Sequence, residues 1–141
     1  MANNISRLKF FEKNGFQMTN PYWAWSGVNE EKKQVMFNVW EHYKEKNNGT
    51  YRYIVLCDEW KNATDSSTGF NDSKKNINLV LNEEYTLCIA IVEPTVRFAM
   101  PVAKDGEEVK IKHIRSSFYF TCDLKKENGI YWATPFNRIN V

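Results

Sequence analysis

The stretch that decides the fold is Tyr22-Trp23-Ala24-Trp25-Ser26, followed by the polar turn Asn29-Glu30-Glu31-Lys32-Lys33 and the alternating run Val35-Met36-Phe37-Asn38-Val39-Trp40. Alternation with a period of two predicts two strands joined as a hairpin. Side chains two residues apart point to the same face of a strand, so we expect Trp23 and Trp25 to share one face. Two indoles on one face indicate either a core anchor or an aromatic wall for a flat ligand. Both interpretations stay open.

Outward from this hairpin, the pattern predicts two helices and about seven strands. The first helix is capped by Asn4 and ends at Asn14-Gly15, and the second runs from Lys74 to about Glu83, capped by Asp72 or Ser73. The strands are expected at 22–28, 35–41, 51–58, 86–92, 109–114, 117–122 and 130–136. The first three are expected to form a meander, and the apolar strand 86–92 to be central and buried on both faces. The stretches 62–69, 95–108 and 123–129 are expected to be connections.

This order of elements predicts an α+β fold, because helices interrupt a mostly antiparallel series of strands. A sheet of short strands is most economically closed into a partly open β-barrel with the two helices at its flanks. With 141 residues, the chain is expected to form a single domain, 1–141.

Composition limits the class of protein. Hydrophobic residues make up 43% of the chain and aromatic residues 15%, which is enough apolar material for a packed core. The three cysteines, Cys57, Cys88 and Cys122, are widely spaced and are expected to be buried thiols in a reducing compartment. No stretch has the pattern of a signal peptide or the length of a membrane span, so a cytoplasmic location is expected.

Enzyme signatures are weak. The six glycines lie at scattered turns rather than in a phosphate-binding loop, and His42 and His113 have no neighbouring ligand at metal-binding spacing. Most acidic residues occur in turns, where solvated charge is the usual explanation. We therefore expect no catalytic set, no metal and no cofactor. An enzyme that acts on a nucleotide would need an acid or a histidine inside the aromatic cluster.

Two features favour nucleic-acid binding. The tryptophans offer a surface on which bases can stack. The run Lys110-Ile111-Lys112-His113-Ile114-Arg115 places basic side chains on one face of a strand, which suits either a phosphate-tracking strand or a solvated edge strand. Arg52, Lys74 and Lys75 could extend this basic face. The candidate nucleic-acid-binding residues are Trp23, Trp25 and Trp40 for stacking, and Lys110, Lys112 and Arg115 for phosphates.

The segment Asn20-Pro21-Tyr22-Trp23-Ala24-Trp25-Ser26, together with Val35–Glu41, resembles the amino-terminal region of some bacterial HNH-type restriction endonucleases. The later segment Lys110-Ile111-Lys112, together with Asn128-Gly129-Ile130-Tyr131-Trp132-Ala133, fits the same pattern. The resemblance implies a non-catalytic DNA-sensing module, similar to the PUA-like domains that hold an extruded modified base in an aromatic pocket. No His-Asn-His nuclease segment is present in the sequence, so the resemblance does not imply cleavage.

Two main hypotheses result. In the first, the chain is a nucleic-acid-binding module that reads modified DNA bases and has no nuclease activity of its own. In the second, it is a phage- or mobile-element-encoded protein that binds and inhibits a bacterial defence nuclease, because tryptophan and tyrosine are favoured anchors of protein interfaces. The expected partner is therefore DNA, including modified DNA, or a defence-system protein. No membrane partner is expected.

Overall fold

The computed structural model describes residues 6–19, 25–41, 44–47, 49–58, 68–94 and 111–141; for residues 47, 68–69, 94 and 111–113 it describes the backbone alone. The helices are α1 (Arg7–Lys13) and α2 (Thr68–Asn82). The strands are β1 (Gln17–Met18), β2 (Ser26–Asn29), β3 (Gln34–Trp40), β4 (Lys44–Asn47), β5 (Thr50–Cys57), β6 (Thr86–Pro94), β7 (Ile111–Ile114), β8 (Phe118–Glu127) and β9 (Ile130–Asn140).

All of these strands belong to one sheet. Eight of them follow the order β1-β2-β3-β6-β8-β9-β5-β4. Strand β7 pairs with the last residues of β6, from Val92 to Pro94, past Ile89, where the pairing of β6 with β8 stops. Every pair is antiparallel except β3 with β6, in which Trp40 lies beside Val92. The prediction of an α+β fold with a mostly antiparallel sheet and two helices is confirmed. Among the described residues no hydrogen-bonded ladder joins the two ends of the sheet, so closure into a barrel is not established.

The sheet is nevertheless curled. Strands β3 and β5 are separated by three strands along the ladder, yet some of their Cα atoms come within 8 Å of one another. Helix α2 packs against β2, β3 and β5 on this inner side, and the Nδ2 atom of Asn76 donates a 2.7 Å hydrogen bond to the buried Oγ of Ser26. The inner face therefore forms the larger core.

Strand β6 is central and buried on both faces, as predicted. Alternate side chains of β3 and β6 enter two different clusters: Val35, Phe37, Val39, Leu87, Ile89 and Ile91 on the inner face, and Met36, Cys88, Ala90 and Val92 on the outer face. The outer cluster is completed by Phe10 and Phe11 of α1 and by Phe16. A Cβ atom added at Gly27 would lie 2.9 Å from the Phe11 ring, so glycine permits this close packing.

The helix boundaries differ from the predicted ones. The cap of α1 is Ser6, whose Oγ accepts a 3.1 Å hydrogen bond from the Lys9 amide, rather than Asn4. The predicted end at Asn14-Gly15 is confirmed, because Gly15 adopts a φ of 89°. Helix α2 begins at Thr68, inside the predicted loop 62–69, so the predicted cap at Asp72 or Ser73 is wrong. Serine and threonine favour loops only where tertiary contacts do not override them.

The predicted meander is also wrong. The hairpin of β2 and β3 exists, and Gly49 ends the turn before β5 with a φ of 83°. Strand β5 does not continue that meander, because it pairs with the unpredicted strand β4 and with β9. The neighbour of β3 is instead β6, which lies far away in sequence. Periodicity identifies strands but carries no information about which strands pair over long distances.

The connection predicted at 123–129 is much shorter than expected. Asn128 and Gly129 have φ values of 51° and 78°, as a two-residue hairpin turn of type I′ requires. Strands β8 and β9 therefore pair up to Glu127 and Ile130, and residues 123–127 belong to the sheet. Strand β9 also extends past the predicted residue 136 to Asn140.

In the described part of the chain, neither helix is long and apolar enough to cross a bilayer.

Candidate nucleic-acid interface

Strand directions bring several chain ends together at one end of the sheet. Because β3 and β6 are parallel, they finish side by side at Trp40 and Val92. Strand β8 begins at this end and β9 finishes there, since Phe118 pairs with Asn140. Strand β5 also begins there, because it is antiparallel to β9. We call this the Trp40 end of the sheet.

The described tryptophans of the predicted site both lie at the Trp40 end. The carbonyl oxygen of Trp25 accepts a 3.3 Å hydrogen bond from the Asn38 amide, two residues before Trp40. Both indoles are half-buried; Trp25 packs against the inner cluster and Trp40 against both clusters. Each ring therefore contributes to the core and keeps part of its surface exposed. Trp23 lies outside the described residues.

The predicted basic strand also reaches this end. Ile114 of β7 pairs with Val92, the residue beside Trp40, and Arg115 follows directly. The Arg115 amide donates a 2.9 Å hydrogen bond to the carbonyl of Ile91, and its Nε lies 3.6 Å from a carboxylate oxygen of Glu93. Lys112 lies within β7, but its side chain is not described, and Lys110 lies outside the described residues. Of the three predicted cations, Arg115 alone is placed with its side chain.

Tyr53 is the buried polar group of the Trp40 end, on the inner face of β5. Lys44 pairs directly opposite it on β4, and Lys44 Nζ lies 2.8 Å from a carboxylate oxygen of Glu41. Burial raises the pKa of Tyr53, the charges of Lys44 and Arg115 partly offset this rise, and Glu41 adds to it. The phenol is therefore neutral at physiological pH and lies within electrostatic reach of two cations and one carboxylate.

A second aromatic group lies on the inner face of β8 and β9. The rings of Phe118 and Phe120 contact each other edge to face, with centroids 5.2 Å apart. The guanidinium of Arg138, which pairs with Phe120 across the ladder, lies 4.1 Å from the centre of the Phe118 ring. Its Nε donates a 3.1 Å hydrogen bond to the side-chain oxygen of Asn140. Within the described residues, Arg138 has no carboxylate partner.

The two aromatic groups belong to separate arms of the sheet. Strand β5 pairs with β9 from Cys57 up to Tyr53, and its first residues, from Thr50 to Arg52, pair with β4 instead. The last residues of β9 pair with β8, past a bulge that leaves Phe136 as the extra residue. The β4–β5 arm and the β8–β9 arm therefore diverge at the Trp40 end, and each presents aromatic and basic side chains on its inner face.

Some of these groups were missed from sequence. Aromatic residues at alternate positions, Tyr51 with Tyr53 and Phe118 with Phe120, are a recognisable signal for one-faced aromatic pairs. Lys44 and Arg138 could not be identified as site residues from the sequence, because an isolated basic residue occurs in many structural roles.

Of the three cations proposed as extensions of the basic face, Arg52 and Lys74 lie elsewhere, and Lys75 is exposed on α2. Arg52 lies on the face of β5 opposite to Tyr53 and contacts Glu45 and Glu127. Lys74 of α2 lies 3.7 Å from Asp58, at the opposite end of the sheet. Lys74 does not belong to the Trp40 end, and Arg52 lies on the outer face of the sheet there.

The cysteines are free and buried, as predicted. Burial raises the pKa of Cys88 to about 12 and also raises that of Cys122, so both thiols are protonated at neutral pH. The described residues contain no group of three or more His, Cys, Asp or Glu side chains that could hold a metal ion.

No protein-family model matches the chain, and comparisons with curated proteins and with solved structures find no match.

Proposed function

We propose that this protein is a nucleic-acid-binding module that reads modified DNA bases, without nuclease activity of its own. The observation that carries the proposal is the convergence of stacking surfaces and cations at the Trp40 end. Half-buried Trp25 and Trp40, the exposed ring of Tyr51 and the cations Lys44 and Arg115 come from separate parts of the chain. Aromatic faces for bases beside cations for phosphates are what single-stranded or extruded nucleotides require.

The proposal includes a PUA-like architecture, with the curled sheet as a partly open barrel and α2 along its inner side. The approach of β3 to β5 supports this description. In such an architecture the ligand would enter at the end where the two arms diverge, which is the Trp40 end. The proposed pocket would lie between Tyr53 on one arm and Phe120 on the other.

The ion pairs at this end define how binding should depend on salt. Lys44 and Arg115 are already paired with Glu41 and Glu93, so a phosphate must compete with a carboxylate for each cation. Ion pairs at the surface are worth about 0–1 kcal/mol, and both cations keep about a third of their side-chain surface exposed, so a phosphate can compete with the carboxylates at low ionic strength. We therefore expect DNA binding to weaken steeply as salt rises.

The test is DNA binding by the variants Lys44→Gln and Arg115→Gln, measured by fluorescence anisotropy over a range of salt concentrations. Each variant should weaken binding and reduce the slope of log affinity against log salt by about 1. Lys126→Gln is the matched control, because Lys126 pairs with Asp58 at the opposite end. Equal slopes for all three variants would contradict the proposal, as would wild-type protein that binds no DNA at low salt.

Base recognition is tested separately, with Trp25→Ala and oligonucleotides that differ in one modified base. The variant should keep its fold, as judged by circular dichroism, and lose most of its preference for the modified base. A preference that is unchanged in Trp25→Ala and in Trp40→Ala would remove the tryptophans from the proposal.

The second candidate function is inhibition of a defence nuclease through protein–protein contact. Its supporting observation is that Glu41 and Glu93 neutralise two of the cations, while Tyr51 is 47% exposed and Phe136 is 60% exposed. Exposed aromatic anchors beside paired charges suit a protein partner. A stable complex with a nuclease that excludes DNA would favour this function over the first.

A further inference from the structure

The contact between Arg138 and Phe118 differs from the other charged contacts at the Trp40 end. Lys44 and Arg115 are held by carboxylates, whereas Arg138 is held by an aromatic ring at 4.1 Å and by the neutral side chain of Asn140 at 3.1 Å. These two contacts orient the guanidinium over the ring without neutralising its charge. In the described part of the chain it is therefore a positioned cation with no anionic partner.

The orientation decides what such a cation can bind. A guanidinium is planar and offers two faces for stacking, and the Cζ atom of Arg138 lies 4.1 Å from the centre of the Phe118 ring. Arg138 is an exposed residue, so part of its side chain is open to solvent. A planar aromatic ring can stack on a guanidinium face that Phe118 leaves open, and a phosphate can accept hydrogen bonds from the N–H edge. A nucleotide supplies both groups in one molecule.

The stacking geometry further restricts the class of nucleotide. In a duplex the faces of the bases are covered by their neighbours, and only base edges are accessible in the grooves. A base can cover the free face of a guanidinium only when it is unpaired. We propose that Arg138, supported by Phe118 and Phe120, is a stacking and phosphate contact for an unpaired nucleotide of single-stranded nucleic acid. This inference rests on the proposed function and names the form of nucleic acid that the site takes.

The opposite arm has a comparable exposed ring. Tyr51 lies at the start of β5 with Lys44 Nζ 5.0 Å from its ring centre. Each arm therefore carries one aromatic ring with a cation beside it. Two such ring-and-cation pairs at the same end of the sheet can bind two nucleotides of one nucleic-acid strand, one on each arm.

The experiment compares a labelled single-stranded oligonucleotide with a hairpin duplex of the same sequence, by fluorescence anisotropy at low salt. We expect wild-type protein to prefer the single strand about tenfold or more. Arg138→Gln should weaken single-strand binding about tenfold and leave duplex binding within about twofold, because removal of one stacked base contact has an effect of this size. Phe118→Leu should have an effect in the same direction.

Two controls make the result specific. Arg52→Gln removes an arginine that also lies on an aromatic ring, but on the other face of the sheet, and should leave the single-strand affinity within about twofold once the folded fraction is matched. Arg138→Lys keeps the charge and loses the planar group, so it should bind as weakly as Arg138→Gln. Full binding by Arg138→Lys would show a simple charge contact and would overturn the stacking assignment.

The remaining outcomes separate this inference from the proposed function. If wild-type protein binds DNA but Arg138→Gln and Arg52→Gln behave alike, the inference is wrong and the proposed function stands on Lys44 and Arg115. If duplex and single strand bind equally and Arg138→Gln weakens both equally, the restriction to unpaired nucleotides is wrong. If wild-type protein binds neither form, both the inference and the proposed function are wrong.

Discussion

In the described part of the chain, two arginines lie on aromatic rings, and their surroundings differ. Arg52 lies 3.9 Å from the centre of the Trp132 ring, and Arg138 lies 4.1 Å from that of Phe118. Arg52 also contacts Glu45 at 2.9 Å and Glu127 at 3.4 Å, whereas Arg138 has no carboxylate partner in the described part of the chain. The same cation–π contact thus occurs once as part of a neutralised cluster and once with its charge uncompensated.

The difference follows from burial. The side chain of Arg52 is 12% exposed and Trp132 is 6% exposed, so a charge there needs partners. Burial lowers the pKa of Arg52, but the hydrogen bonds and charges of Glu45 and Glu127 outweigh this effect and raise it. Arg138 is exposed and needs no such compensation. The comparison indicates that the Arg52 stack stabilises the fold and that the Arg138 stack is free to bind an anion.

The largest expected effect concerns the two rings. Trp132→Ala should destabilise the protein by about 3–5 kcal/mol, because it removes a large buried side chain. Phe118→Ala should cost about 1–2 kcal/mol, since that ring is only half-buried. Denaturant unfolding monitored by circular dichroism measures both. Equal losses of unfolding free energy in the two variants would contradict the assignment of Trp132 to the structural contact and of Phe118 to the binding contact.

The two arginines provide a smaller effect. Arg52→Met should cost about 1–2 kcal/mol, because it removes a shielded cation–π contact, leaves Glu45 without its ion-pair partner and leaves Glu127 paired with Lys125 alone. The loss of stability stays small because the Nε of Arg52 is buried without a hydrogen-bond partner in the wild type, and the substitution removes this unfavourable group. Arg138→Met should change stability by about 0.5 kcal/mol. The same unfolding experiment measures both values. A larger loss of stability in Arg138→Met than in Arg52→Met would mean that Arg138, rather than Arg52, stabilises the fold.

The smallest expected effect depends on pH. Hydrogen bonds from Lys125 and Arg52, with their charges, hold the pKa of Glu127 below its ordinary value of about 4.3. A carboxylate with a lowered pKa in the folded state contributes stability above its unfolded pKa, and this contribution is lost as the pH falls through the folded pKa. The stability difference between wild type and Glu127→Gln should therefore be constant near neutral pH and shrink as the pH falls below the ordinary pKa of a glutamate.

The matched control for this pH dependence is Arg138→Met. Its stability difference from wild type should not change over the same range, because no carboxylate pairs with Arg138 among the described residues. Urea midpoints measured at each pH provide both curves. Parallel curves for the two variants would mean that Glu127 does not titrate as part of the Arg52 cluster.

The local parts of the fold were predictable from sequence. Alternation located β3 and β5, the continuous apolar run located β6, and Gly15 marked the end of α1. These features depend on periodicity and on backbone conformations that neighbouring residues determine. The parallel pairing of β3 with β6 was not predictable, because it depends on burial of both faces of β6 by residues distant in sequence.

The candidate site was only partly predictable, for a similar reason. Trp25, Trp40 and Arg115 were identified by residue type and do lie at one end of the sheet. Tyr53 and Arg138 join them through strand pairing across the sheet, which no local pattern encodes. The resemblance to the amino-terminal region of HNH-type endonucleases points to the tryptophan strands, to Lys110-Ile111-Lys112 and to the run 128–133, and it stays a prediction.

The parallel pairing of β3 with β6 at the centre of the sheet also determines when the protein can fold during its synthesis. Strand β3 ends at Trp40, and its partner β6 does not begin until Thr86. Until that later segment has left the ribosome, Val35, Phe37 and Val39 have no neighbouring strand on that side. Contacts so distant along the chain form slowly, and unpaired apolar strands are prone to aggregate. The nascent chain therefore passes through a period in which the apolar strand β3 lacks its central partner and is prone to aggregate.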